Sequence, residues 1–349
     1  MLFRKIHETE FLDLSRIVYE ATHQCSRGCI YCYNYWKAPD TKKNNIFSAS
    51  YSSSKKTLKQ LFKIYPVKQI TFTGGEPLLA ERLPELILYS KQKGARVNLI
   101  TGGGGSISLY RKLLYSPPDQ FQLPFHSADS EIHDSMMRYT GAHRAVKEKI
   151  SFLQDHKIKT AAVLILTKLN IHTLEETLNE LKKMGIRILL VNRFDPGGSG
   201  LAHIENLELN PVDLNKAYTL LNKFSSPDFL IYSGINTPQC LLDKTRYPAI
   251  GFGGCKVHLG SGPITVDAEG NLRLCNQSQH IIGNIHKNSL KEMAVHQISL
   301  QWKNSVPELC KNCNLFNECQ AGCRASGEQQ GLSAMMPDPY LIRYLEFRK

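Results

Sequence analysis

The sequence predicts an α/β protein in which a parallel sheet forms part of a barrel and a small cysteine-rich α+β domain follows. Short apolar segments alternate with longer amphipathic segments six times between residues 15 and 225, a pattern typical of parallel strands connected by helices. Proline and glycine interrupt this alternation over residues 226–254. Six of the ten cysteines lie beyond this interruption, so we place a separate domain there.

Hydrophobic periodicity assigns the individual strands and helices of the barrel. The predicted strands are 16–22, 67–73, 95–101, 121–127, 160–167 and 186–192. The predicted helices are 53–64, 81–93, 106–115, 142–156, 173–184 and 211–224. We expect Ser52 to Ser54 to cap the first helix, and Gly94 and Gly185 to end the second and fifth. Functional side chains should lie at the carboxyl ends of the strands.

These patterns divide the chain into four parts. Residues 1–14 form an N-terminal extension, 15–225 the partial barrel, 226–254 a linker and 255–349 the cysteine-rich domain. Within the last part, "GPITVDAEGNLRLC" (262–275) predicts a β-hairpin that turns at Ala-Glu-Gly-Asn, because strand-forming residues flank the turn.

The composition indicates the expected cellular compartment of the protein more clearly than its function. The 349 residues are 42% hydrophobic and carry a formal net charge of +12. No apolar run reaches the roughly 18–20 residues of a membrane span, and the N-terminus lacks a signal-peptide core, so we expect a cytoplasmic protein without a membrane partner. Cysteines are reduced in that compartment, which favours metal ligation or catalysis over disulfides.

The basic residues are spread along the chain in runs of no more than two. This distribution is compatible with an acidic partner but does not require one. A zinc protein that binds nucleic acid is a rival interpretation of the charge and the cysteines. No motif interleaves aromatic and basic residues for base stacking, so we expect no nucleic-acid partner.

Three cysteines, Cys25, Cys29 and Cys32, follow the first predicted strand with the spacing C-x3-C-x2-C. A closed metal site needs four ligands, whereas a site with an open position can bind a substrate or cofactor. Taken alone the run is as consistent with chance as with a metal site. Its position after the first strand of a barrel favours a metal site.

A second group of cysteines lies near the C-terminus. Cys310, Cys313, Cys319 and Cys323 place four thiols within fourteen residues, which predicts metal binding. Zinc and iron–sulfur clusters both accept thiolate ligands, so the spacing alone leaves the metal open.

The N-terminal motif, with Tyr31 just before its last cysteine, and "TFTGGEPLL" (71–79) together resemble the radical S-adenosylmethionine (SAM) superfamily. Residues 255–275, "IIGNI" (281–285) and the C-terminal cysteines resemble the SPASM extension, which holds auxiliary iron–sulfur clusters. The resemblance covers about residues 15–340. It implies a partial (β/α)6 TIM barrel followed by a SPASM domain.

The resemblance implies that Cys25, Cys29 and Cys32 hold a [4Fe–4S] cluster whose open iron binds SAM. One electron then cleaves SAM to a 5′-deoxyadenosyl radical, which abstracts a hydrogen from the substrate. The residues that match the family's SAM-binding positions are Tyr31, Gly74, Gly75, Glu76, Ser127 and Arg138.

In that family pattern, Tyr31 lies near the adenine, and residues 74–76 hold the methionine amino group. Ser127 bonds the ribose and Arg138 pairs with the SAM carboxylate. Arg138 is displaced by one residue from the family spacing, so an arginine that faces solvent is the alternative. The run "LITGGGG" (99–105) replaces the family's Thr-Asn-Gly and is expected to form an open loop near the substrate entrance.

The SPASM resemblance implies one or two auxiliary clusters. The first set of ligands is Cys255, Cys275, Cys323 and, as the remaining candidate for the fourth place, Cys240. The second set is Cys310, Cys313 and Cys319, completed by Asp338, by Tyr340 or by no protein ligand. Leu341 stands where the family has its last cysteine. A free buried thiol is the alternative for Cys240.

The resemblance predicts an oxidoreductase that modifies a residue in a ribosomally made peptide. The alternatives are a sulfatase-type maturase and radical oxidation of a small molecule. The first cysteine motif begins at residue 25, so we expect recognition without an N-terminal leader-binding domain, for example through an acidic leader. Flavodoxin or ferredoxin is the expected electron donor. No catalytic base is assigned, although four residues lie suitably: Tyr35, His126, Asp129 and Asp195.

Overall fold

The computed structural model describes residues 12–39, 48–257, 260, 262 and 264–346. Most of the predicted N-terminal extension, residues 1–11, therefore lies outside the described residues. The strands are β1 Arg16–Thr22, β2 Gln69–Gly74, β3 Arg96–Ile100, β4 Gln120–Pro124, β5 Thr160–Leu166, β6 Ile188–Arg193, β7 Leu230–Ser233, β8 Ile250–Phe252, β9 Ile264–Asp267, β10 Asn271–Arg273 and β11 Gly283–Asn284.

The helices of the barrel part are α1 Tyr51–Ile64, α2 Leu83–Gln92, α3 Ile107–Leu113, α4 Ser130–Met137, α5 Ala142–Asp155, α6 Leu174–Lys183, α7 Ile204–Leu207 and α8 Pro211–Phe224. Those of the C-terminal part are α9 Leu290–Ala294, α10 Gln297–Asn304, α11 Phe316–Cys319, α12 Arg324–Gln329 and α13 Pro339–Glu346. Within the described chain, none of these helices has the length and hydropathy to cross a bilayer.

All described strands join one open sheet in the order β11-β10-β9-β1-β2-β3-β4-β5-β6-β7-β8. Neighbouring strands from β1 to β8 pair in parallel. Strand β10 pairs antiparallel with both of its neighbours, β9 and β11. The predicted α/β class with a partial barrel is confirmed. The six predicted strands occupy consecutive places in the sheet.

The two faces of each strand have different surroundings because side chains alternate along a strand. On β4, Phe121 and Leu123 are fully buried in the hydrophobic core on the helix side. Gln122 and Pro124 point to the opposite face and line a cavity. The interior of the partial barrel is therefore a chamber, and the helices cover its outer face.

The ends of the helices follow local chemistry. Ser50, and not Ser52 to Ser54, caps α1, because the Ser50 side chain accepts a hydrogen bond from the Ser53 amide. The capping prediction was thus wrong by two residues. Gly94 and Gly185 follow α2 and α6 with φ of +85° and +74°, as expected for residues that end helices.

Several elements were not predicted from the sequence, among them α4, β7 and β8. Helix α4 begins after Asp129, whose carboxylate accepts hydrogen bonds from two amides of the first turn. Strands β7 and β8 lie inside the predicted linker, where they pair in parallel with β6 and with each other. They have four and three residues, too few for a clear hydrophobic period between the surrounding prolines and glycines.

The predicted hairpin is present as β9 and β10. Strand β9 also pairs in parallel with β1, so the C-terminal part extends the barrel sheet. Tyr340 and Leu341 of α13 belong to the same hydrophobic core as the barrel strands. The barrel and the cysteine-rich part are therefore joined by a shared sheet and a shared core.

A buried cation ties the end of β6 to the start of α13. The Arg193 guanidinium is 3% exposed and lies 2.8 Å from Asp195 Oδ1. It also donates a short hydrogen bond to Asp338 Oδ2. Asp338 in turn accepts a hydrogen bond of 2.8 Å from the Cys323 amide. One charge network thus connects the barrel to the cysteine-rich part.

Replacing Arg193 with Met should destabilise the metal-free protein by about 3–5 kcal/mol, since two buried carboxylates would lose their cation. Urea unfolding followed by circular dichroism measures the difference. Arg246→Met, at an exposed position, serves as the control and should leave the midpoint unchanged. Equal midpoints for the Arg193 variant and the unmodified protein would contradict the proposed importance of this network.

Candidate functional site

A cavity of about 320 Å³ lies at the carboxyl ends of the barrel strands. Its wall includes all three cysteines of the N-terminal motif, together with Asn276 and Gln277 of the C-terminal part. This volume is at the lower end of the range for small-molecule sites, roughly 300–1,000 Å³. Both cysteine-rich regions of the chain therefore border one chamber.

The three N-terminal thiols lie close together after β1. Burial, and then the nearby Cys32 thiol, raises the pKa of Cys29 to about 12. Burial would lower the pKa of Lys37, but the three thiols together raise it. Lys37 also donates a hydrogen bond of 2.7 Å to the Arg27 carbonyl oxygen. The site thus groups three thiols with a cation that favours their ionised forms.

Gly74 and Gly75 hold the cysteine loop directly against β2. A Cβ atom at either position would overlap a carbonyl oxygen of the loop, that of Thr22 or that of Gln24. The Gly75 amide donates a hydrogen bond of 2.7 Å to the Thr22 carbonyl oxygen. The resemblance assigned these glycines to the methionine amino group, and the structure shows that they also allow close approach of the cysteine loop.

Glu76 is fixed by three hydrogen bonds. Its carboxylate accepts from Thr101 Oγ1 at 2.7 Å, from the Gly102 amide at 2.8 Å and from the Leu78 amide at 3.2 Å. Burial raises the pKa of Glu76, and these hydrogen bonds oppose that effect. The glycine run that follows β3 thereby positions Glu76, and Gly102 itself lines the cavity.

Arg27 is a cavity residue that the sequence analysis missed. It is 7% exposed, and its Nη1 has no hydrogen-bond partner among the described residues. A Cβ atom at Gly102 would lie 3.2 Å from Glu76 Oε2 and 3.3 Å from Arg27 Nε. The two charged side chains thus flank one glycine. The sequence signal that could have identified Arg27 is its position between Cys25 and Cys29.

Tyr31 and His126 form one side of the cavity, with their rings edge to face at 4.5 Å. His126 Nδ1 accepts a hydrogen bond of 3.3 Å from the Ile165 amide. Burial lowers the pKa of His126 well below its usual value, so the ring is neutral and carries its proton on Nε2. That Nε2 has no partner among the described residues.

Two predicted SAM contacts lie elsewhere. Ser127 is fully buried, does not line the cavity, and shares a hydrogen bond of 2.8 Å with Thr173. Arg138 is exposed, ends α4 with φ of +46°, and lines a separate surface depression. Neither residue borders the chamber in this structure, because the chain turns away after His126 to start α4.

The remaining acid–base candidates differ in position. Asp195 lines the cavity but pairs with Arg193, and Asp129 caps α4. The Tyr35 ring lies 4.9 Å from the Arg273 guanidinium carbon. His126 is therefore the candidate that combines cavity position with a free ring nitrogen among the described residues.

Cys255, Cys275 and Cys323 form a first C-terminal group, here called the inner set. Burial and the Cys255 thiol raise the pKa of Cys275 to about 12. The pKa of Cys323 is also raised, mainly by burial and in part by the nearby Cys275 thiol. Gln277, which lines the cavity, donates its amide to Cys275 Sγ at 3.3 Å. The inner set therefore lies beside the chamber.

Cys240 does not join the inner set. Burial raises its pKa to about 11, with further contributions from nearby thiols, those of Cys319, Cys310 and Cys313. These four cysteines are called the outer set below. The sequence analysis offered Cys240 for the first auxiliary site, and in this structure it lies beside these thiols, because the loop after β7 packs against α11. Among the described residues, no three His, Cys, Asp or Glu side chains surround the position of a single metal ion.

Known proteins share both halves of this arrangement. A model of the radical SAM superfamily matches residues 19–181. A model of SPASM, an iron–sulfur cluster-binding domain, matches residues 255–314. PqqA peptide cyclase of Bradyrhizobium diazoefficiens is 23% identical over 360 residues, which cover 96% of this chain and 88% of that protein.

Two solved structures have the same fold. Streptococcus suis SuiB bound to the precursor peptide SuiA superposes with a TM-score of 0.70 at 15% identity, covering 93% of this chain and 75% of SuiB. The enzyme anSMEcpe, with bound AdoMet and the Kp18Cys peptide, also gives 0.70 at 17% identity, covering 95% of both chains.

Replacing Gly75 with Ala should displace the cysteine loop, because the added Cβ would collide with the Gln24 carbonyl group. We expect the iron content of the reconstituted protein to fall by about four atoms per chain, the content of one [4Fe–4S] cluster. Gly94→Ala is the control, since among the described residues no atom beyond its chain neighbours lies within 4 Å of the added Cβ. Full iron content in the Gly75 variant would contradict this role.

The residues fit the group that the family uses. Burial raises the pKa values of Cys29 and Cys32, so these thiols ionise readily only when a metal or cation offsets their charge. With Cys25 they border a cavity that also holds a fixed carboxylate and the Arg27 guanidinium, whose Nη1 has no hydrogen-bond partner among the described residues. The cofactors are iron–sulfur clusters and SAM, and the chain carries a radical SAM superfamily domain over residues 19–181 and a SPASM domain over residues 255–314.

Proposed function

We propose that this chain modifies a residue of a ribosomally made peptide by radical SAM chemistry. The observation that carries the proposal is the single chamber bordered by both the N-terminal cysteines and the residues next to the inner set. PqqA peptide cyclase, which matches nearly the whole chain, and the peptide-bound form of SuiB support a peptide as the substrate class.

Each end of the chamber has a distinct role in this proposal. Cys25, Cys29 and Cys32 hold the [4Fe–4S] cluster, and Lys37 offsets their charge. When bound, the cluster and SAM supply the radical that abstracts a substrate hydrogen. Asn276 and Gln277 on the SPASM side then face the substrate, next to the inner set.

Glu76 and Arg27 suit the amino-acid part of SAM. That part carries one positive ammonium group and one negative carboxylate. Glu76 is held rigidly by three hydrogen bonds, and Arg27 has a spare Nη1 among the described residues. We assign the ammonium group to Glu76 and the carboxylate to Arg27, which takes over the role expected for Arg138.

Tyr31 and His126 suit the adenine, because they present a flat side to the chamber and one N–H donor. The strand residues below them, such as Pro124, Val163, Ile165 and Leu190, are mostly apolar. Such a surface keeps water and reactive polar groups away from a radical. The chain's contribution is therefore to position the reactants and to exclude water.

Acidic macromolecules are the expected partners. The exposed side of α1 presents four lysines around one surface depression, Lys55, Lys56, Lys59 and Lys63. Complementary charge speeds the encounter between a basic surface and an acidic protein. We assign an acidic electron donor of the flavodoxin or ferredoxin type, and an acidic leader segment is the matching feature of a peptide substrate.

Replacing Arg27 with Met should weaken SAM binding by about 10- to 100-fold, the loss expected for one hydrogen bond between charged groups. Anaerobic equilibrium binding measures this change on protein with an unchanged iron content. Arg138→Met is the matched control and should bind SAM normally. Weaker binding in the Arg138 variant alone would reverse the assignment.

The proposed function is tested with the peptides encoded by short reading frames beside the gene. Reconstituted enzyme, SAM and reductant should change the mass of one such peptide, as measured by mass spectrometry. Cys29→Ala should abolish both this change and 5′-deoxyadenosine formation. Cys313→Ala should still cleave SAM but yield no modified peptide.

Two outcomes would contradict the peptide assignment. Turnover of a small molecule in the absence of any peptide would favour the small-molecule alternative. A modified sulfatase-derived peptide, with all neighbouring peptides unchanged, would favour the sulfatase-type maturase.

A further inference from the structure

The loop after β7 packs directly on the cysteine segment of α11. Asn236 Nδ2 donates a hydrogen bond of 2.5 Å to the Cys319 carbonyl oxygen. The Gln239 amide lies 3.4 Å from Cys319 Sγ and points toward it. Because Cys240 is the next residue, its thiol is delivered to the same side of α11.

We propose that Cys240 is the fourth protein ligand of the iron–sulfur cluster held by Cys310, Cys313 and Cys319. Cys240 lies close enough to interact electrostatically with each of the other three thiols, and Cys310 interacts in the same way with Cys313 and Cys319. A cysteine that precedes the SPASM motif in sequence thus completes a site inside it. The site rests on the family's cofactor, and not on the peptide assignment.

Of the residues that sequence analysis offered for this place, Asp338 is engaged in hydrogen bonds elsewhere and Tyr340 lies in the hydrophobic core. Both Asp338 carboxylate oxygens are occupied, Oδ2 by Arg193 and the Cys323 amide and Oδ1 by the Tyr340 amide. The Tyr340 ring lies 5.0 Å from the Arg193 guanidinium carbon. Leu341, at the position of the family's last cysteine, is 6% exposed in the hydrophobic core.

Backbone geometry explains why Cys319 and Cys323 serve different sites. Three consecutive residues between them are left-handed, Gln320, Ala321 and Gly322, with φ of 49°, 59° and 91°. Such a run reverses the chain direction sharply, and side chains other than glycine rarely adopt it. Cys319 therefore faces the β7 loop, while Cys323 faces Cys275 and the chamber.

The outer set is closed and lies near the surface. Cys240 and Cys313 are exposed, and Cys319 is buried. Four protein thiolates leave no open position for a substrate, by the logic that separates structural from catalytic metal sites. The inner set, by contrast, has three cysteines among the described residues and borders the chamber. Substrate contact is therefore assigned to the inner set.

The test compares cysteine variants of the full chain after anaerobic reconstitution. Cys240→Ala should lose about four iron atoms per chain, or show a changed EPR signal of one cluster, and Cys313→Ala should show the same change. The double variant of both residues should lose no more iron than either single variant, because both residues serve one cluster. Cys240→Ala combined with Cys275→Ala should lose about twice as much, because the two residues serve different clusters.

Two controls separate ligation from folding. Arg246→Ala, at an exposed position of the same loop, should retain full iron and sulfide. SAM cleavage by the Cys240 variant should persist, which shows that the N-terminal cluster is intact. A Cys240 variant with unchanged iron content and EPR spectrum would overturn the proposal. Iron loss that does not increase in the double variant with Cys275→Ala would also overturn it, and would return Cys240 to the inner set.

Discussion

The relative position of the two cysteine-rich regions depends on the ion pairs that the buried Arg193 guanidinium makes. This guanidinium holds Asp195 at the end of β6 and Asp338 at the start of α13 in a setting where neither carboxylate could remain charged alone. Asp338 then fixes the Cys323 amide. A side chain at Gly322 would collide with this carboxylate. A member of the inner set is thereby positioned beside the chamber by one cation and its two partners.

In the N-terminal site, too, a few contacts fix the positions of several functional groups. Gly74 and Gly75 allow β2 to end against the cysteine loop, and Glu76 immediately afterwards reaches into the cavity. The glycine run after β3 contributes the Gly102 amide that holds Glu76. One short motif therefore serves both purposes, because it orders the loop that carries the thiols and also presents the carboxylate assigned to the SAM ammonium group.

Much of this architecture could be predicted because its signals are local. Alternating apolar segments gave the six barrel strands, and a turn between strand-forming residues gave the hairpin. The placement of Ser127 and Arg138 could not be predicted, since the start of α4 redirects the chain after β4. The position of Cys240 could not be predicted either, because it depends on how the loop after β7 packs on α11. Short strands such as β8 carry too few residues for a period to be recognised.

The central claim is that a residue of a peptide enters the chamber between the SAM-binding cysteines and the inner set and loses a hydrogen there. The most direct measurement uses a perdeuterated substrate peptide with reconstituted enzyme, SAM and reductant in ordinary water. The account predicts deuterium in the 5′-deoxyadenosine that accompanies each modified peptide. Modified peptide formed with 5′-deoxyadenosine that contains no deuterium would contradict it.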